Sequence, residues 1–269
     1  LGISFIPGVP AIKLDPEIIF LIFLPPILYE AAWYTSWYDF WKWKRTISLL
    51  AFGLVFLTSL AVAYTSYALI PGFTLALGFL LGGIISPPDA IAATTVLKGM
   101  KVPKRTLTIL EGESLINDAS SLIVFRFALA AVLTGTFSFQ QATGQFFIVA
   151  GMGVVIGLAG AHIVYVIHRF LPTTPAIDAA LTVMTPYIIF LTAEHFHFSG
   201  VMAVVSCGLF VSFRSHELFR TGNTRINMIG VWNTLIFTMN ALVFILIGLE
   251  LPEITKGMEK ADLIQSIKY

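Results

Sequence analysis

Charged residues are scarce in this chain of 269 residues, where aspartate, glutamate, lysine and arginine together make up 12%. Soluble domains carry about 25%, so the deficit argues against a soluble protein. The net charge is only +1, which gives no sign of a nucleic-acid or acidic partner. The single cysteine, Cys207, excludes an internal disulfide, and its apolar surroundings make a buried packing role the simplest interpretation.

Motifs for catalysis are missing as well. The sequence contains no nucleotide-binding loop, catalytic triad or metal-binding motif, so we expect neither an enzyme nor a bound cofactor. One turn contains an acid, Glu194, and two histidines, His195 and His197. A structural metal site needs a fourth ligand, so a solvated turn is the preferred interpretation.

Long apolar runs dominate instead. Hydrophobic residues make up 57% of the chain, and the mean hydropathy is +0.87. A helix needs about 17–25 apolar residues to cross a bilayer. Eight stretches reach or approach that length: 16–33, 46–70, 73–98, 106–134, 145–168, 175–196, 198–213 and 227–251. The predicted fold is an all-α membrane protein, a polytopic helical bundle, with residues 1–269 in one transmembrane domain.

The lysines and arginines between these spans are unevenly distributed. Eleven lie in alternate segments on one side and four on the other, and short cytoplasmic loops carry the excess of positive residues. Residues 1–15 are therefore predicted to lie outside the cell. The predicted cytoplasmic segments are 34–45, 98–105, 169–174 and 214–225.

The third predicted span is interrupted near its centre. Pro87 and Pro88 supply no backbone donors, so we expect an interrupted helix around residues 84–89. Unwound backbone at membrane depth is tolerated only where protein or a wet cavity surrounds it. Asp89 follows directly, and it either caps the second half-helix, contributes to a site, or does both.

The fourth predicted span contains the densest group of polar residues. Glu113, Ser114, Asn117 and Asp118 share one helical face. An acid at the bilayer centre costs at least about 2.5–3.5 kcal/mol on insertion scales. Asp118 is too far from either end of the span to reach water by extending along it, so the sequence indicates a functional site at this residue.

Two other charged residues allow more than one interpretation. Glu30, near the end of the first span, is either an acid at the membrane interface or one turned inward towards the site. Arg126 lies two turns beyond Asp118. A position reaching the interface or a local ion pair is preferred over substrate binding.

Five stretches together resemble the sodium/proton exchanger family, the first family of monovalent cation:proton antiporters, in its bacterial form. They cover essentially the whole chain, and GESLIND after an interrupted SPPDA helix is the most specific. The stretches are FLPPILYE (23–30), GGIISPPDA (82–90), EGESLINDA (111–119), AEHFHFSG (193–200) and LIFTMNALVFILIGLEL (235–251).

The resemblance implies that Asp118 binds a cation and a proton in turn, beside Asn117 of the family's Asn-Asp pair. It implies that Ser114 and Glu30 help Asp118 to hold sodium or potassium, and that Asp89 is the acid at the crossing of the broken helix. The implied function is secondary active antiport of sodium or potassium against protons, for pH and cation homeostasis. A single aspartate in the pair suggests electroneutral exchange.

Two features depart from the family pattern. Glu113 resembles a buried glutamate that pairs with an arginine on a later helix, and we find no such arginine in this chain. Pro88 stands where the family often has threonine, so only its carbonyl can contribute. The family fold is an inverted repeat with two broken helices, and we expect this chain to be a fragment that lacks the first and last spans.

The expected partners are the lipid bilayer, monovalent cations, protons and a second copy in a homodimer, with no nucleic acid. The expected location is the cytoplasmic membrane. Two rival interpretations remain. A cation channel would use the same polar spans without obligatory proton coupling, and a membrane enzyme or non-transporting subunit would need a catalytic constellation or large exposed loops.

Overall fold

The computed structural model describes residues 16–88, 97, 100, 102–135, 139–171, 174–218 and 222–256. Every regular element in these residues is helical, which confirms the all-α prediction. The elements are α1 (Pro16–Tyr34), α2 (Trp37–Ser48), a π-helical segment (Leu49–Leu54), α3 (Val55–Leu69), α4 (Leu75–Ile85), α5 (Lys104–Thr134), α6 (Phe139–Phe170), α7 (Pro175–His195), α8 (Gly200–Leu218) and α9 (Gly222–Lys256).

Six helices in the described residues are long and apolar enough to cross a membrane. Two shorter apolar helices, α1 and α4, occupy the first and third predicted spans. The chain is therefore a multi-pass membrane protein, as predicted, while the total of eight spans stays a prediction.

The helix of the second predicted span begins earlier than the sequence suggested. Residues 37–45 were expected in a loop, but one helix of 33 residues runs from Trp37 to Leu69. The Ser36 hydroxyl accepts a hydrogen bond from the backbone N–H of Asp39 at 3.5 Å and caps its start. Such a helix is about 50 Å long, more than the ~30 Å hydrocarbon core. The loop prediction is wrong because hydropathy identifies only the part of a helix that lies in the hydrocarbon core, and this helix is longer than that core.

The helices pack in two groups. The first helix group comprises α2, the π-helical segment, α3, α4 and α5, which pack mainly on one another. The second helix group comprises α1, α6, α7, α8 and α9, which do the same. Contacts between the groups are few and come mainly from α2 and α5 against α8.

Glycines bring α4 unusually close to its neighbours in the first helix group. A Cβ atom at Gly78 or Gly82 would lie 2.7 Å from backbone atoms of Ala63 or Ser59 on α3. A Cβ atom at Gly83 would lie 3.0 Å from the backbone nitrogen of Phe125 on α5. Small residues permit such close helix packing in membranes, so α4 is wedged between α3 and α5.

Side-chain hydrogen bonds tie the second helix group together. The Trp232 indole N–H on α9 donates to the Thr182 hydroxyl on α7 at 3.2 Å. The Tyr187 hydroxyl on α7 donates to the Ile22 carbonyl on α1 at 3.0 Å. The first of these bonds satisfies a buried indole N–H, and together the bonds connect α9 to α7 and α7 to α1.

Candidate functional site

Helix α5 carries the polar residues predicted from the sequence, and the structure separates them by exposure. Asn117 is completely buried and Glu113 is 4% exposed. Ser114 and Asp118 are half-buried, and Glu111 is exposed at the start of the same face. The most deeply enclosed residues are therefore Asn117 and Glu113, while Asp118 keeps an open side.

The Asn117 side chain connects α5 to the non-helical segment that follows α4. Its Nδ2 donates to the Pro88 carbonyl and to Glu113 Oε1, both at 3.4 Å. Both neighbours are acceptors, so the amide nitrogen must face them and Oδ1 must face away. Asn117 Oδ1 is buried and has no hydrogen-bond partner among the described residues. An unpaired buried acceptor is costly, so it marks a place where a donor or cation would be favourable.

Helix α4 ends where the sequence predicted an interruption. Its last helical residue is Ile85, the backbone N–H of Ser86 still reaches the Gly82 carbonyl, and Pro87 and Pro88 are not helical. The predicted unwinding before residue 89 is confirmed. Asp89 lies outside the described residues.

Asp118 borders a cavity of about 260 Å³. Gly83 and Pro87 at the end of α4 contribute to its wall, as does Ser121 on α5. The rest of the wall is apolar and comes from Phe20, Leu24, Ile84, Leu122, Phe125 and Val201. A carboxylate in such a space, beside non-helical backbone, can bind either a proton or a small cation.

The structure does not gather every predicted site residue around this cavity. Ser114 lies one turn before Asp118 on α5, and Glu30 is half-buried on α1, but neither lines the cavity. A larger cavity of about 410 Å³ between α6 and α7 has no acidic side chain in its wall. Of the predicted site residues Asp118, Ser114 and Glu30, only Asp118 lines this cavity within the described residues.

Glu113 has no arginine or lysine as an ion-pair partner within the part of the chain that the structure describes. The hydrogen bond from Asn117 is its recorded contact. Its predicted pairing with an arginine remains a prediction.

Sequence reasoning missed one residue near the site and one pairing between residues that it had considered separately. Ser121, one turn beyond Asp118, lines the cavity and donates to the Asp118 carbonyl at 3.0 Å. Arg126 pairs with Glu194, with 2.8 Å between Nη1 and Oε2. Helical spacing from Asp118 could have found Ser121. The Arg126–Glu194 pair joins residues 68 positions apart, so no local pattern could have found it.

Taken together, these features define the class of protein. A multi-pass helical bundle with an acid deep in one helix, beside the unwound end of another, is typical of ion-coupled secondary transporters. The model of the family described as "Sodium/hydrogen exchanger, transmembrane" matches residues 1–266. The chain belongs to this family.

Similar proteins agree with this assignment. The chain is 34% identical to the sodium, potassium, lithium and rubidium/H(+) antiporter of Bacillus pumilus, over 91% of the chain and 37% of that protein. It is 31% identical to the Na(+)/H(+) antiporter ApNhaP of Aphanothece halophytica, over 92% of the chain and 47% of that protein. The chain thus spans less than half the length of these two relatives.

A solved structure shows the same fold. The sodium proton antiporter MjNhaP1 from Methanocaldococcus jannaschii superposes with a TM-score of 0.69 at 18% sequence identity. The match covers 87% of this chain and 57% of that one. The exchanger fold is therefore present in the helices described above.

Proposed function

We propose that this protein exchanges sodium or potassium ions for protons across the cytoplasmic membrane and so serves pH and cation homeostasis. One observation carries the proposal: Asp118 is a half-buried acid far from either end of α5, and it borders a cavity beside the unwound end of α4. The antiporter names of the two relatives support it.

The proposed mechanism is competition at one carboxylate. Burial in a poorly solvated site favours the protonated form of an acid, and a bound cation favours the ionised form. Asp118 would therefore release its proton when a cation arrives and take one up when the cation leaves. We propose Ser114, Glu30 and Asp89 as further ligands during the cycle. Asn117 would hold the broken helix in place through the Pro88 carbonyl.

Glu113 has a structural role in this proposal. It is nearly fully buried and one helical turn from Asn117, with which it shares a hydrogen bond. A buried carboxylate is stable when it is paired with a cation. We propose that an arginine pairs with Glu113 in the assembled site.

Substitution of Asp118 by asparagine tests the assignment. Asp118→Asn keeps the size of the side chain but cannot exchange a proton for a cation, so the intact protein in proteoliposomes should lose exchange completely. Glu111→Gln is the matched control, because Glu111 lies on the same helix but is exposed; this variant should exchange at the wild-type rate. Wild-type exchange by Asp118→Asn would refute the role of Asp118.

The coupling of the ions separates antiport from channel activity. One monovalent cation exchanged for one proton moves no net charge, so the rate of sodium:proton exchange should not change when valinomycin and a potassium gradient impose a membrane potential. A rate that depends on the potential would contradict electroneutral exchange. Cation flux without proton counter-movement would indicate a channel.

Three further proposals concern the cofactor requirement, the membrane topology and the oligomeric state of the protein. The cycle needs only the transported ions and no cofactor. The segments 34–45, 98–105, 169–174 and 214–225 face the cytoplasm, which side-specific labelling of introduced cysteines would test. The protein forms a homodimer, which light scattering in detergent would test. A monomeric mass would contradict that last proposal.

A further inference from the structure

The Arg126–Glu194 ion pair joins the two helix groups. Arg126 lies on α5 in the first helix group, and Glu194 lies at the end of α7 in the second. Arg126 Nη1 is 3.1 Å from Oε1 and 2.8 Å from Oε2 of Glu194. The backbones of α5 and α7 do not come into contact along their described lengths, so these long side chains make the connection.

The acid of this pair is held in place from the second helix group. Glu194 Oε1 also accepts a hydrogen bond from the backbone N–H of Gly200, at 3.1 Å. Gly200 is the first residue of α8, where unpaired backbone donors attract a carboxylate. Glu194 is thus fixed to the turn between α7 and α8, and the arginine ties α5 to that fixed point.

The pair also lies next to the space that leads to Asp118. Arg126 and Glu194 border a cavity of about 390 Å³. Leu122 and Val201 line both this cavity and the one that contains Asp118. Arg126 is eight residues beyond Asp118, about 12 Å along the helix, towards the predicted outer side. The pair therefore lies over an outer approach to the acid.

We propose that Arg126 and Glu194 form a latch that holds the outer ends of the two helix groups together and restricts access to Asp118 from outside. The latch closes when Arg126 binds the carboxylate anchored at Gly200, and it opens when the groups separate at that end. Neither residue contacts the transported ion, so both are positioning residues. The inference that this access serves transport rests on the proposed function.

The latch is strong enough to bias the equilibrium between the closed and outward-accessible states, and weak enough to open. The side chains of Arg126 and Glu194 are 50% and 27% exposed, so water and salt screen the pair. Ion pairs of this kind shift equilibria by about two- to five-fold. Loss of the latch should therefore change the population of the outward-accessible state by that factor.

The reactivity of an introduced cysteine measures the population of the outward-accessible state. In the intact protein with Cys207→Ala, Leu122→Cys places a thiol on the wall shared by the two cavities. We expect Arg126→Gln and Glu194→Gln each to raise its rate of reaction with an impermeant methanethiosulfonate reagent, added outside, by about two- to five-fold. The glutamine in Glu194→Gln keeps an oxygen that can accept the hydrogen bond from the Gly200 N–H. If Glu194 only capped the start of α8, the reaction rate would therefore not change in either variant.

Control variants make the result specific. Arg214→Gln breaks an ion pair with Glu217 inside α8, within one helix group, and should leave the rate unchanged. Arg126→Lys keeps a cation and should stay near the original rate. If the glutamine variants fail to fold, raised ionic strength with choline chloride should increase the rate in the unsubstituted latch, because salt screens exposed pairs.

The outcomes separate the latch from the proposed function. Unchanged rates in both Arg126→Gln and Glu194→Gln, or an equal rise in Arg214→Gln, would overturn the latch even if the protein exchanges ions. Raised rates in a protein that shows no cation:proton exchange would support the latch as an access control and overturn the proposed function.

Discussion

Replacement of Gly82 by alanine tests how tightly α4 packs on α3. A Cβ atom at Gly82 would lie 2.7 Å from both the Cα atom and the carbonyl oxygen of Ser59. Non-bonded carbon atoms prefer about 3.5–4.0 Å, so the two helices would have to separate by roughly 1 Å. Both clashing atoms belong to the backbone, so no side-chain rotation can relieve the contact.

The expected loss of stability in Gly82→Ala is best measured against substitution of a glycine that has open space around it. Overpacking of this kind costs about 1–3 kcal/mol. Gly230 on α9 has no atom within 4 Å of its Cβ position. Gly230→Ala therefore carries the same intrinsic change in helix preference without the clash. The difference in the free energy of unfolding between the two variants should be about 1–3 kcal/mol, with Gly82→Ala the less stable.

The assay is thermal unfolding of each purified variant in the same detergent, followed by tryptophan fluorescence. For a protein of this size, 1 kcal/mol shifts Tm by about 2–4 °C, so Gly82→Ala should melt roughly 2–12 °C below Gly230→Ala. Ser59→Ala should not rescue Gly82→Ala, because the side chain of Ser59 is not the obstacle. Equal Tm values for the two glycine variants would refute the close packing of α3 and α4.

Three further substitutions test contacts elsewhere. Asn117→Leu removes both hydrogen bonds of the amide, including the one that the carboxylate of Glu113 accepts, so it should lower the free energy of unfolding by about 1–3 kcal/mol. A Tm equal to that of the wild type would contradict these bonds. Thr182→Val leaves the buried indole N–H of Trp232 without its acceptor and should cost about 1–3 kcal/mol, whereas a Trp232→Phe background should remove most of that cost. Ser36→Ala removes a helix cap and should cost about 0.5–2 kcal/mol, seen as a lower Tm; no change would mean that the cap is not formed.

The broken helix shows how far local chemistry reaches. Two adjacent prolines cannot donate backbone hydrogen bonds, and α4 ends at Ile85, before Pro87 and Pro88. The similar pair of Pro25 and Pro26 lies inside α1, which continues to Tyr34, so a proline pair predicts a weak point in a helix but does not fix where the helix ends. The start of α2, at Trp37, did not follow from the sequence in the same way. Residues 37–45 have too many charges for a membrane-spanning segment, yet they are helical and begin at a Ser36 cap.

The sequence by itself predicted the class of fold, the end of α4 before Pro87 and Pro88, and the intramembrane acid Asp118, because apolar length, missing backbone donors and charge are properties of short segments. Only the tertiary structure decided which polar groups meet. It placed the Pro88 carbonyl against Asn117 and Arg126 against Glu194. It also left Ser114 and Glu30 away from the cavity that contains Asp118. Such pairings depend on the distance between two helices and on the rotation of each helix about its axis. Packing contacts between residues far apart in the chain determine both.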